Sequence, residues 1–168
     1  MMSFGLPKLS RVVLTTGAAA VLSVAASAAG HAQSSGLFSS FNGAWSGTGS
    51  VHLSDGTKER IRCKAQYVVN GGGQGLKQKL RCASDSYRFD LDSDVISEGG
   101  RVSGTWSEAS RNVYGNLQGR ASDGRIDVFV EASGFAANLT VTTRGNKQSV
   151  SIDSKGEIRG VNITLVKG

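Results

Sequence analysis

Proline is almost missing from this chain. The one residue of its kind, Pro7, lies near the start, so nothing after it interrupts a hydrogen-bonded ladder. Histidine is nearly as scarce: only His31 and His52 occur, and a His-dependent triad or multi-histidine metal site has little to draw on. His52 itself lies among small residues in an early strand and reads as a surface or rim residue. The two cysteines, Cys63 and Cys82, have no C-x-x-C spacing, which excludes a thioredoxin-like redox motif. G-x-S-x-G, H-E-x-x-H, a phosphate-cradling loop and a Ca²⁺ loop are all lacking. No spacing ties Glu108 and Glu131 into an acid/base pair. We therefore assign no catalytic residue, metal ligand or cofactor, and expect a protein that is not an enzyme. The net charge is +6 with both signs interspersed, unlike the concentrated basic charge of a nucleic-acid protein, so no nucleic-acid partner is expected.

The longest apolar stretch comes first. Lys8 and Arg11 precede a run from Val12 to Ala29 rich in small residues, which leads into Gly30-His31-Ala32. This is the layout of a secretory leader, with cleavage expected after Ala32 and Ala29 as second choice. The alternative is a membrane anchor. It is opposed by Thr15, Thr16 and Ser23 within the run and by the want of a basic flank after it. The expected organisation is a signal peptide at 1–32, a lead-in at 33–42 and one domain at 43–168. The mature chain has no further segment apolar enough to span a membrane as a helix, and its destination is the periplasm or the medium. Without Lys8 and Arg11 its net charge is +4.

Beyond the leader the chain alternates. Ile61, Cys63, Ala65, Tyr67 and Val69 share one parity, as do Val113, Gly115, Leu117, Gly119 and Ala121, and later Val161, Ile163 and Leu165. Period-two runs separated by breaks such as SDG, NGGGQG and SEGG mean antiparallel strands joined by tight turns. No segment offers a helical stripe. We expect a sequential meander of about eight to ten strands, closed into a small barrel or folded as a β-sandwich. Gly47, Gly49, Gly104, Gly115 and Gly119, on strand parities, favour the strongly curved barrel.

Two hairpin registers are testable. Placing Cys63 opposite Cys82 pairs Ala65 with Leu80, Tyr67 with Gln78 and Val69 with Leu76, and leaves Asn70 to Gly75 as the turn. Both apolar parities then share a face. A disulfide suits an exported chain; a buried pair of free thiols is the alternative. The next hairpin is expected to pair Cys82 with Tyr87, Leu80 with Phe89 and Gln78 with Leu91. Its outer face would set Asp90 against Lys79 and Asp92 against Lys77, leaving Arg60, Arg62 and Lys64 unneutralised. Those three are either a solvated sheet face or an anion-binding patch.

Tyr67, Tyr87, Phe89 and Trp106 share the inner parity, with Gln78 as a polar neighbour. A small barrel either fills its interior with such side chains or holds one ligand. These five residues are therefore core or the lining of a pocket.

The segment Phe38 to Val51 carries Gly43-Ala44-Trp45, a G-x-W at the mouth of the first strand. It resembles the opening of lipocalin-like (calycin) barrels. The resemblance implies that Trp45 packs across one barrel end and that the interior carries a small hydrophobic ligand. Later lipocalin motifs and a C-terminal helix signal are not found. More closely, GAWSGTGSVHLSDGTKERIRCKAQY, LRCASDSYRF, VSGTWSE, GRASDGRI and NLTVTTRGNKQSVSI resemble a family of small exported proteins of rhizobia and related alphaproteobacteria. That likeness implies export and supplies no activity. The expected function is binding of a small, partly apolar molecule. The alternative is a cell-envelope protein acting through its basic outer surface on a polyanion, a membrane or a protein partner, without catalysis.

Overall fold

The structure is a computed structural model that describes residues 36–168. The expected leader and its expected cleavage site lie outside the described residues. The alternating runs form ten strands: β1 (Gly43–Leu53), β2 (Lys58–Asn70), β3 (Gly75–Ala83), β4 (Arg88–Glu98), β5 (Arg101–Glu108), β6 (Val113–Ser122), β7 (Arg125–Ala132), β8 (Phe135–Arg144), β9 (Lys147–Ser154) and β10 (Ile158–Lys167). Each pairs antiparallel with its neighbours in sequence, and β1 pairs with β10 to close the barrel. Every strand has both edges hydrogen-bonded, so the sandwich alternative falls and no strand edge is left to template aggregation.

Closure brings backbones close together on the inner face. A Cβ on Gly47 would stand 2.0 Å from the carbonyl oxygen of Thr164, and one on Gly49 2.3 Å from that of Asn162. Both oxygens belong to β10, so the strand glycines mark positions where a side chain has no room. Gly115, the register partner of Trp106, makes room of another kind. A Cβ there would meet Trp106 Nε1 at 2.6 Å, so the indole lies across a strand with no side chain at that point.

Cys63 and Cys82 face one another across β2 and β3 and form a disulfide, with Cα atoms 4.1 Å apart. The rest of that register is as expected, from Ala65–Leu80 to Asn70–Gly75. A crosslink closing a loop of this length contributes about 3 kcal/mol in the chain-entropy account.

The following hairpin differs from expectation by two residues. Cys82 pairs with Phe89, Leu80 with Leu91 and Gln78 with Ser93. The turn is Ser84 to Tyr87 because the Ser84 hydroxyl accepts hydrogen bonds from the backbone N–H groups of Ser86 (3.2 Å) and Tyr87 (2.9 Å). The Ser84 N–H also donates to Tyr87 O at 2.8 Å. A two-residue slip preserves parity, so the faces are unchanged. The charge pairs do change: Lys79 stands opposite Asp92, Lys77 opposite Asp94 and Arg81 opposite Asp90.

The contact between Trp106 and Gly115 yields a prediction. Gly115→Val should destabilise the fold by about 1–3 kcal/mol. In a Trp45→Phe background, where Trp106 is the remaining tryptophan, it should also shift the emission spectrum. Gly156→Ala, with no atom near its added Cβ, should move the urea midpoint little. Equal midpoints for the two variants would contradict the packing described.

Candidate ligand-binding site

The two barrel ends differ. One is sealed by the lead-in, which turns through a short 3-10 segment at Ser39–Phe41. Phe38 and Phe41 are fully buried and meet edge-on at 6.2 Å between centroids. The Phe38 N–H donates to Gly73 O at 2.9 Å, which ties the lead-in to the β2–β3 turn. Phe41 in turn packs edge-on against Tyr67, at 5.9 Å. Trp45 is buried at this same end, donating from Nε1 to Phe41 O at 2.7 Å, with Lys167 Nζ 5.5 Å from its ring.

Above this seal a line of polar groups crosses the interior. The Tyr67 hydroxyl donates to Gln148 Oε1 at 2.7 Å, and Gln148 Nε2 donates to Thr143 Oγ1 at 2.9 Å. On the other side Gln78 Nε2 reaches the Tyr67 oxygen at 3.4 Å, and the Ser93 hydroxyl donates to Gln78 Oε1 at 3.1 Å. Burial drives the Tyr67 hydroxyl pKa far above the ordinary phenol value, so it stays a neutral donor.

The opposite end differs around its circumference: Val51 and Ile61 are buried there, whereas the inward-facing Leu91, Val113, Ala132, Phe135, Leu139 and Ile152 are only half-buried. Trp106 packs edge-on against Phe135 at 5.8 Å and donates from Nε1 to Asn116 O at 3.1 Å. Of the five residues singled out from the sequence, Tyr67, Gln78 and Trp106 fall in one hydrogen-bonded row that also contains Ser93 and Gly115. Phe89 lies on the inner face of β4, nearer the mouth. Tyr87 is not in a strand: it sits in the β3–β4 turn, stacked on Phe89 at 6.3 Å, and so belongs to the rim. Tyr67 lies against Phe41 at the sealed end, away from the mouth. Gln148, Thr143, Ser93, Phe41 and Phe135 complete the arrangement without having been singled out. For Gln148 the signal was present, since it continues the apolar parity of Val150 and Ile152.

The outer wall carries the cations. Lys77 pairs with Asp94 at 3.2 Å, and Arg81 with Asp90 at 3.1 Å and Asp92 at 3.2 Å. Arg60, Arg62 and Lys64 enter no ion pair among the described residues. Of the three, Lys64 lines a recess of ≈ 350 Å³ together with Ser46, Gln66, Lys79, Arg81 and other residues, and a second of ≈ 660 Å³ lies outside β5 and β6. Both are on the outer wall. Of the aromatic candidates, Tyr67 packs on Phe41, Phe89 on Tyr87 and Trp106 on Phe135.

Glu108 is the buried charged side chain of the described residues, 6% exposed on the inner face near the mouth. Its carboxylate accepts hydrogen bonds from the backbone N–H groups of Asp90 (2.9 Å), Ser110 (3.2 Å) and Arg111 (2.9 Å), and from the Ser110 hydroxyl. Arg111 adds an ion pair at 3.4 Å and lays its guanidinium over Phe89, 4.8 Å from the ring centroid. Burial alone would raise the carboxyl pKa; the donated hydrogen bonds outweigh it and hold the group below its ordinary value of 4.5. Because the folded pKa is depressed, the stabilisation is present above that ordinary value and is lost as pH falls through the folded pKa. Glu108→Gln should cost about 1–3 kcal/mol at pH 7. The gap between variant and parent should narrow on acidification below about pH 4.5, as followed by urea unfolding. A gap that stays constant down to pH 2.5 would contradict the assignment.

No protein-family model matches the chain, and no curated protein matches it. Solved structures do. The crystal structure of Rv2717c from M. tuberculosis is similar with a TM-score of 0.63 at 11% identity, covering 77% of this chain and 94% of that one. The S-type phycobiliprotein lyase CPES from Guillardia theta is similar with a TM-score of 0.55 at 12% identity, covering 78% and 90% respectively. Likeness at such low identity speaks to architecture alone, and the architecture is a closed, lipocalin-like β-barrel.

Proposed function

We propose that this protein is an exported binder of a small, partly apolar molecule, which it takes at the open end of the barrel without a catalytic step. The observation that carries the proposal is the contrast between the ends. Phe38, Phe41 and Trp45 are buried at one, while on the β4–β9 side of the other Leu91, Ala132, Phe135 and Leu139 face inward and are only partly buried. Exposed apolar surface inside a concavity is what an apolar ligand would cover. The lipocalin-like architecture supports this coarsely, and one similar barrel is a phycobiliprotein lyase. The leader pattern, the resemblance to small exported proteins and a disulfide of the kind found in oxidising compartments support export to the periplasm or beyond. Non-catalytic binding is in keeping with Glu108, whose donors occupy the carboxylate.

A second reading is favoured by Arg60, Arg62 and Lys64, which enter no ion pair among the described residues, and by a recess that Lys64 lines with Lys79 and Arg81. In it the protein acts through its outer wall on an anionic envelope component.

The two readings separate in native mass spectrometry of protein recovered after bacterial expression of the full chain. An added mass that survives native spraying and vanishes on denaturation is expected. Ala132→Trp, which fills the mouth, should remove it, while an Arg60→Gln, Arg62→Gln, Lys64→Gln triple variant should retain it. Loss in the triple variant with retention in Ala132→Trp would favour the outer wall.

A further inference from the structure

Resting on the binding reading above, we propose that Gln78 sets ligand class, and that the ligand is a neutral molecule entering with a hydrogen-bond acceptor at its leading end. The argument begins with proton direction. The Tyr67 proton is committed to Gln148 Oε1, whose own amide nitrogen donates to Thr143. The Tyr67 oxygen is therefore left only to accept, and the Gln78 amide must turn its Nε2 toward it. The Ser93 hydroxyl, donating to Gln78 Oε1, holds the same orientation. An amide nitrogen has two N–H groups, and at 3.4 Å Tyr67 takes one of them weakly. The second is available to the interior.

Access is the next point. Leu76 and Leu80 flank Gln78 on the inner face of β3 and are 3% and 8% exposed, whereas Gln78 and its partner Ser93 are half-buried. The backbone of Gln78 is shielded as it is for the flanking leucines, so the exposure of its side chain lies on the inner face of β3. A donor sits at mid-barrel, and half-buried apolar side chains lie between it and the mouth.

Charge narrows the class. The ionised side chain buried on the inner wall is the carboxylate of Glu108, and Gln78 has no cation beside it in the row of Tyr67, Ser93 and Trp106. A carboxylate-ended ligand would have to shed its water beside a neutral amide with no counter-ion in that row, the Arg111 guanidinium at the mouth being already paired with Glu108, which is strongly unfavourable. A ketone, ester or similar neutral acceptor satisfies the free N–H without that cost. A pure hydrocarbon leaves the donor unmet.

Isothermal titration of the recovered protein with 2-undecanone, undecanoate and undecane tests this. The ketone should bind about ten-fold more tightly than either of the others. In Gln78→Leu the ketone should lose that advantage while undecane binding is kept. Ser93→Ala, which frees the amide to rotate, should reduce the advantage in part and serves if Gln78→Leu fails to fold. Undecanoate binding as tightly as the ketone, or an unchanged ketone preference in a folded Gln78→Leu, would overturn the assignment of Gln78 while leaving the binding reading intact. No binding of any of the three would overturn both.

Discussion

The barrel depends on the close approach of β1 to β10. Those strands lie at opposite ends of the described chain, and their ladder turns a ten-strand meander into a closed cylinder. Gly47 and Gly49 allow it, since any side chain there would run into the carbonyl oxygens of Thr164 and Asn162. Closure of so small a cylinder requires strong coiling, and coiling brings backbones together at the inner face. Each further property follows from that closed wall. No edge remains to be covered, and the inner parity of ten strands converges on one axis. A chain segment that reaches an end can seal it.

Polarity is arranged along that axis. Phe38, Phe41 and Trp45 close one end, and the Trp45 indole joins strand and lead-in through its bond to Phe41 O. A neutral polar line then spans β4, β3, β2, β9 and β8 through Ser93, Gln78, Tyr67, Gln148 and Thr143. It ties together opposite sides of the barrel, each group meeting part of its neighbours' hydrogen-bonding capacity and leaving one Gln78 N–H without a protein partner. Beyond it the wall becomes apolar and half-exposed, and Glu108 and Arg111 order the β5–β6 turn at the rim. Floor, donor and apolar mouth thus follow one another from the sealed end to the open one.

Much of the wall was legible in the residues. Period two identified strands because one face of each is buried, and the two cysteines set the β2–β3 register because a disulfide needs them face to face, a pairing that also puts both apolar parities together. The β3–β4 register was misplaced by two residues. Either alignment preserves parity, and the choice is made by the Ser84 hydroxyl capturing two backbone N–H groups, which no alternation reveals. The role of Phe38 and Phe41 was hidden since the lead-in has no period; G-x-W pointed only to Trp45. The partner of Tyr67 lies 81 residues away, across the barrel, and becomes visible only once the cylinder is closed. Tyr87 shares the parity of Phe89, yet the turn begins before it.

The central claim is that the barrel is sealed at one end and accessible at the other. Methyl relaxation with a small soluble nitroxide measures this directly. The account predicts strong enhancement at the methyl groups of Leu91, Val113, Leu139 and Ile152, and little at those of Leu76 and Leu165. Equal protection of both sets would mean a barrel filled from end to end, and enhancement confined to Leu76 and Leu165 would mean that the open end had been misassigned.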